Sequence, residues 1–327
     1  MSTHFSLKTL KAAFVKVAFF ISFTLVLTAC EPQQPAYAYI TNQLSDNLSV
    51  IDTQSQQVIK TIDIGHRPAG VAVSHQGHKA FISNPEGQDI SILDTKTLSV
   101  TAHIAVGAGP VGIATNETGT RVYVADWYQH KISVIDSQTQ TITAAIDVGN
   151  SPAGMIVHKQ RLYVANRDDN TVMVIDTNTL QILHTIAVGT APFGLALSPD
   201  GTTLYSVNVR SSDVSVIDTQ LAQVTHSINV GSWPYCAVVS PDGKHLFVTN
   251  QDDSTISIVD TVNPSIISTV DVGDSPEGID ITADGQFVYV SNWGDGTVSV
   301  INTDSHLVEK TIDAGKGSRA FGKFISP

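Results

Sequence analysis

The chain has 327 residues, with 18 basic against 30 acidic side chains and a formal net charge of −12. Non-specific nucleic-acid binding relies on lysine and arginine neutralising phosphates, so this charge excludes DNA or RNA as an expected partner. A chain this long reads either as two domains or as one repeat architecture.

The N-terminus carries Lys8, Lys11 and Lys16 and no acid, followed by an unbroken apolar run from Val17 to Ala29. Thirteen residues are too few to span a bilayer and fit the core of a signal peptide. The run ends in Leu27-Thr28-Ala29-Cys30, which resembles the lipobox of bacterial lipoproteins. The resemblance implies cleavage after Ala29 and acylation of Cys30 with palmitate-type chains. Under the sorting rule of Gram-negative lipoproteins, Glu31 after that cysteine favours the outer membrane. The expected organisation is a signal peptide over 1–29, a lipidated tether over 30–35 and a single domain over 36–327. The expected place is the cell envelope, on the periplasmic side or the cell surface. Cys236 is the only other cysteine and is expected to be a free, buried thiol.

From Ala38 onward one pattern recurs seven times: a strand ending in Asn, a polar turn, and a strand ending in Ile-Asp-Thr or a close variant. LYVANRDDNTVMVIDT, from Leu162 to Thr177, is the clearest copy. The first strand closes at Asn42, Asn84, Asp126, Asn166, Asn208, Asn250 and Asn292, at intervals of 42 residues with one of 40. The second closes at Asp52, Asp94, Asp136, Asp176, Asp218, Asp260 and Asn302. A Gly-x-x-Pro segment precedes each unit, with Ser318 in the proline place at the end. Short β-branched runs bounded by Gly, Pro, Asn and Asp predict four strands per unit. Four strands in about 40–45 residues is the signature of a propeller blade. The chain is therefore expected to be all-β, a seven-bladed β-propeller of four-stranded blades. The first unit lacks its inner strand. Residues Ala320 to Ser326 are expected to supply it, closing the ring with three N-terminal strands and one C-terminal strand.

These motifs resemble the YVTN-family β-propellers, envelope proteins of bacteria and archaea named for a strand ending seen here as FVTN, Phe247 to Asn250. The resemblance covers Ala36 to Pro327 and implies the propeller fold. Relatives range from surface-layer and nucleic-acid-binding proteins to lactonase-like and haem-carrying domains, so it implies no single function. The topology brings residue 36 in at the bottom of the ring. The tether of six residues, spanning at most about 20 Å, would hold the bottom face near the membrane and turn the top face away.

Structure explains what repeats, and function is sought in what does not. The loops of the top face hold Trp127, Trp233 and Trp293, together with Arg67, Arg167, Arg210 and Arg319. The residue after each loop proline is expected near the channel mouth and reads Ala69, Val111, Ala153, Phe193, Tyr235, Glu277 and Arg319 around the ring. Aromatic and charged groups converging on a concave surface suit ligand binding. On adjacent blades, Glu277 and Arg319 alternatively form an ion pair that seals the ring. His66 and His130 share this face without a third metal ligand, so no metal site is expected. Asp168-Asp169-Asn170 and Asp252-Asp253-Ser254 lack the acid spacing and glycine of a calcium loop and read as turns. The repeated Asp of the Ile-Asp-Thr motif is expected to cap the turn after it. There is no haem-attachment motif, phosphate loop or nucleophile elbow.

The leading expectation is a monomeric, non-enzymatic envelope module without cofactor. Its top face would bind a protein, glycan or small molecule through Arg67, Trp127, Arg167, Phe193, Arg210, Trp233, Tyr235, Glu277, Trp293 and Arg319. The alternative is a lactonase- or lyase-like enzyme at the channel mouth, with Glu277 as general base and Arg319 stabilising an oxyanion.

Overall fold

The fold is taken from a computed structural model that describes residues 1–2, 36–74 and 76–326. The signal segment, Cys30, the tether and His75 lie outside the described residues. Residues 36–326 form an all-β ring of seven blades, compact in themselves and with their own core. Six blades have four consecutive antiparallel strands, and the first has three, Tyr37–Asn42, Asn47–Asp52 and Gln57–Asp63.

Burial explains the sequence pattern. Middle strands such as His245–Asn250 and Thr255–Asp260 bury runs of consecutive residues, because a neighbouring blade covers each face. The outermost strand of that blade, Ser265–Asp271, is largely exposed. Asn250 is buried, and its Nδ2 donates to Thr255 Oγ1 and Ser257 Oγ, both at 3.0 Å. Asn42, Asn208 and Asn292 make the same pair of bonds to the next strand. Asp260 Oδ1 accepts the N–H groups of Val262 and Asn263 at 2.8 and 3.0 Å and so caps its turn. In the last unit, Asn302 accepts from Asp304 and Ser305.

In the third to seventh blades the loop proline begins the inner strand and sits in a register shift, as between Pro276 and Ile279. A side chain at Gly278 would collide with the carbonyl oxygens of Arg319 and Ala320, so glycine lets neighbouring inner strands close up. The threonine before the strand-ending Asn then links blades. Thr249 Oγ1 accepts from Cys236 N–H at 2.9 Å and donates to Glu277 O at 3.1 Å. Thr41 and Ser83 donate likewise to Ala69 O and Val111 O.

The C-terminus closes the ring against the first blade. Arg319 N–H donates to Thr41 O, Tyr39 N–H to Phe324 O and Ser326 N–H to Tyr37 O, each at 2.9 Å. Antiparallel bridges join Asn42 to Ser318 and Ala38 to Ile325. The regular strand is shorter than expected: Phe321–Lys323, paired in parallel with Gly70–Val73 of the second blade. Gly322, at φ 103°, breaks the run between the two sets of antiparallel bonds. Asp280 holds the segment from the seventh blade, its Oδ2 accepting from Phe324 and Ile325 N–H at 2.9 and 2.8 Å.

Candidate functional site

The residues after the loop prolines do not surround an open mouth. They meet and divide the channel. The ring of Phe193 lies 4.2 Å from that of Tyr235 and 5.5 Å from that of Phe321, centre to centre. Ala69, Ala153 and Phe193 are almost fully buried in the same cluster. Arg319 completes the septum. Its Nε donates to Glu277 Oε2 at 2.6 Å and an Nη to Tyr235 Oη at 3.0 Å, and its Cζ lies 5.3 Å from the Phe321 ring centre. Glu277 Oε1 accepts from Gln251 Nε2 at 2.9 Å.

Burial pushes the Glu277 carboxyl above its ordinary range, against the pull of Arg319 and Gln251. Burial alone would lower Arg319, but Glu277 and Tyr235 more than reverse this, and the guanidinium keeps its proton. The pair is engaged on both carboxylate oxygens and largely desolvated. That is the sealing ion pair, where the chain end meets the first blade.

Above the septum is a pocket of about 360 Å³ lined by Trp127, Arg167, Phe193, Val209, Trp233, Tyr235 and Gln251. The backbone positions these side chains through three equivalent places of the repeat. Trp127, Arg167, Val209 and Gln251 each follow a strand-ending Asn or Asp. Phe193 and Tyr235 follow a loop proline, and Trp233 precedes one. Trp233 adopts φ 54°, as Arg67, Ser151 and Ser275 do at equivalent places, so the turn is set by the repeat. It leaves the indole 38% exposed. The guanidinium of Arg167 lies 5.7 Å from the Trp127 ring centre, within cation–π range. One Nη donates to Asp168 Oδ1 at 2.8 Å. The Ser151 hydroxyl, and then Arg167, hold the Asp168 carboxyl below its ordinary value. The remaining guanidinium donors suit a carboxylate.

Five of the expected contact residues therefore share one pocket: Trp127, Arg167, Phe193, Trp233 and Tyr235. Glu277 and Arg319 brace it from the septum. The other three lie apart from it. Arg67 faces Glu86 at 3.5 Å, beside His66. Trp293 donates to Gln43 Oε1 at 3.1 Å, and Arg210 is exposed. Val209 and Gln251 escaped the sequence reasoning, although they occupy the same repeat position as Trp127 and Arg167. Among the described residues no His, Cys, Asp and Glu cluster could hold a metal.

Below the septum lies a larger cavity of about 560 Å³. It runs from Phe193, Cys236 and Phe321 down to the bottom-face turns at Glu117, Pro199 and Pro241. Cys236 stands in the glycine place of Pro-x-Gly and is a free, buried thiol. Burial, with Glu277 nearby, pushes this thiol far up, so it is not a reactive thiolate.

The propeller is similar to chains of three solved structures. One is hydrazine synthase from Kuenenia stuttgartiensis, at 25% identity and TM-score 0.67 over 72% of this chain and 77% of that one. The second is a functionally unknown protein from Desulfotomaculum acetoxidans DSM 771, at 14% identity and TM-score 0.77 over 88% of this chain and 99% of that one. The third is the dihydro-heme d1 dehydrogenase NirN, at 14% identity and TM-score 0.65 over 84% of this chain and 63% of that one. These likenesses show the propeller fold. No family model and no curated protein matches the chain, so its likeness to the YVTN family rests on the motifs alone.

Proposed function

We propose that this protein is a lipid-anchored envelope propeller whose top pocket binds a small acidic ligand, a sugar acid or an acidic glycan fragment. The observation that carries the reading is the pocket of two tryptophans, one tyrosine, one arginine and one glutamine on an otherwise acidic chain. Indole faces stack on the apolar faces of sugar rings, and Trp is a favoured binding anchor that is costly to leave exposed. Arg167 would take the carboxylate in a bidentate contact, and Gln251 would take a hydroxyl. Acylation at Cys30 would hold the bottom face at the outer membrane and present this pocket away from it.

The enzymatic alternative draws less support. As a base Glu277 would need a free oxygen, and both of its oxygens already accept bonds. NirN acts on a haem, which makes a tetrapyrrole a further ligand to test; a coloured purified protein would favour it.

The test is a titration of intrinsic fluorescence with an oligogalacturonate, a muropeptide and a neutral oligosaccharide. The acidic ligands should give a saturable change, lost in Trp233→Phe and weakened in Arg167→Ala. Equal response to the neutral sugar, or none to any of the three with the protein folded, would sink the reading.

A further inference from the structure

The lower cavity is blind at its upper end. Phe193 lines both cavities, and with Tyr235 and Phe321 it forms the partition between them. Its wall is built from the inner strands, two to three residues beyond each Pro-x-Gly. At the nearer position the chain reads Ala72, Ala114, Ile156, Ala196, Val238, Asp280 and Gly322 around the ring. Small residues at four of these seven places leave space that larger side chains would fill. At the farther position stand Val73, Thr115, Val157, Leu197, Val239, Ile281 and Lys323. Such a wall gives water few partners, and an apolar group that displaces poorly held water gains affinity.

Two charges interrupt the wall. Asp280 is buried, and its carboxylate already accepts from the backbone N–H groups of Phe324, Ile325 and Ile281. Lys323 is the only cation of the lining; its Nζ lies 3.9 Å from Asp280 Oδ1, with its side chain about half exposed. Lys323 stands at the level nearer the bottom turns, and the aromatic end is the deeper one. Glu117, at the rim among the bottom turns, is the one acid of the lining without such backbone bonds.

We infer that the lower channel binds a single long-chain fatty acid, its aliphatic tail against the aromatic septum and its carboxylate on Lys323. A volume of about 560 Å³ lies within the roughly 300–1,000 Å³ of ligand sites. At about 30 Å³ for each water-sized group, it has room for roughly eighteen methylene-sized groups. A mostly apolar cavity with one convergent cation is the chemistry that recognises an aliphatic acid. This site is independent of the top pocket, since the septum separates them.

The probe is a fluorescent C18 polyene fatty acid, titrated into residues 36–327, the unit that closes its own ring. Saturable binding of one molecule per chain is expected, unchanged by Trp233→Phe. Lys323→Ala should weaken it about tenfold, the loss expected for a hydrogen bond to a charged group. The C18 alcohol should compete about tenfold less well than the C18 acid against the wild type, and equally against Lys323→Ala. The half-buried wall residues Ile156 and Val238 allow filling: Val238→Phe should reduce binding without lowering the melting temperature. Non-saturable uptake, or binding indifferent to both Lys323→Ala and Val238→Phe, would overturn the inference. So would equal competition by alcohol and acid against the wild type.

Discussion

Replacing Arg319 with alanine should destabilise the whole ring. Its guanidinium is the main counter-charge of a carboxylate whose side chain is only 6% exposed. Removing it leaves Glu277 with Gln251 as its one side-chain donor. Stranding one member of a buried pair costs about 3–5 kcal/mol, whereas replacing both by apolar groups of similar size is often neutral. Arg319→Ala should therefore lose about 3–5 kcal/mol in urea unfolding at neutral pH, and the double variant Glu277→Leu, Arg319→Met less than about 2 kcal/mol. The deficit has a defined pH dependence. Without Arg319 the folded carboxyl lies still further above its ordinary value of 4.5. A raised carboxyl destabilises the fold above its unfolded value and recovers as it takes up a proton. The loss should thus be largest near neutral pH and shrink as pH falls towards the unfolded value. A single variant costing under about 1 kcal/mol, or a double variant costing as much as the single, would refute a desolvated pair.

Two further outcomes follow from the ring. Deleting the residues after Arg319 removes Phe321, Phe324 and Ile325, which are 4%, 0% and 2% exposed. At about 1.5–3 kcal/mol for each buried side chain, the loss is about 5–9 kcal/mol, comparable to a domain's whole stability. The truncated chain should show no cooperative thermal transition, and a melt near that of the intact chain would contradict the closure. The second outcome concerns acid. The Ser198 and Ser240 hydroxyls, with backbone N–H groups, hold Asp200 and Asp242 at about 2. Their ordinary value is 3.8, so their contribution is present above it and is lost as pH falls through about 2. Circular dichroism should show a melting temperature that declines over this interval. The decline should be shallower in Asp200→Asn, Asp242→Asn, and a flat profile in the parent chain would contradict the turn chemistry.

The architecture was readable because each blade is set by local chemistry that recurs. Asn250 and Asp260 make the bonds that fix their turns, and their counterparts recur at nearly constant spacing. Closure was readable from a missing inner strand and a spare C-terminal one. Within the top pocket, the legible residues were those that broke the repeat conspicuously, such as Trp127 and Trp233. Gln251 and Val209 are unremarkable residue types, visible only when their register with Trp127 is used. The Glu277–Arg319 pair of the septum was legible from its place on adjacent blades, but the aromatic closure was not. That closure depends on Phe321, which lies outside the Pro-x-Gly positions, reaching Phe193 across the channel. Nor was the lower cavity, because empty space arises from small residues such as Ala72 and Ala196 spread over several blades. Asp280 belongs to none of the repeat's marker positions, and only the folded chain shows it holding Phe324 and Ile325.

The binding reading is tested most directly by the three indole N–H signals in a ¹H–¹⁵N spectrum of residues 36–327, recorded with and without an oligogalacturonate. Trp127 and Trp233 line the pocket, whereas Trp293 is tied to Gln43 elsewhere. Saturable shifts of the Trp127 and Trp233 signals, with Trp293 unmoved, are the predicted result. Shifts of all three alike, or of Trp293 alone, would contradict a ligand site in the top pocket.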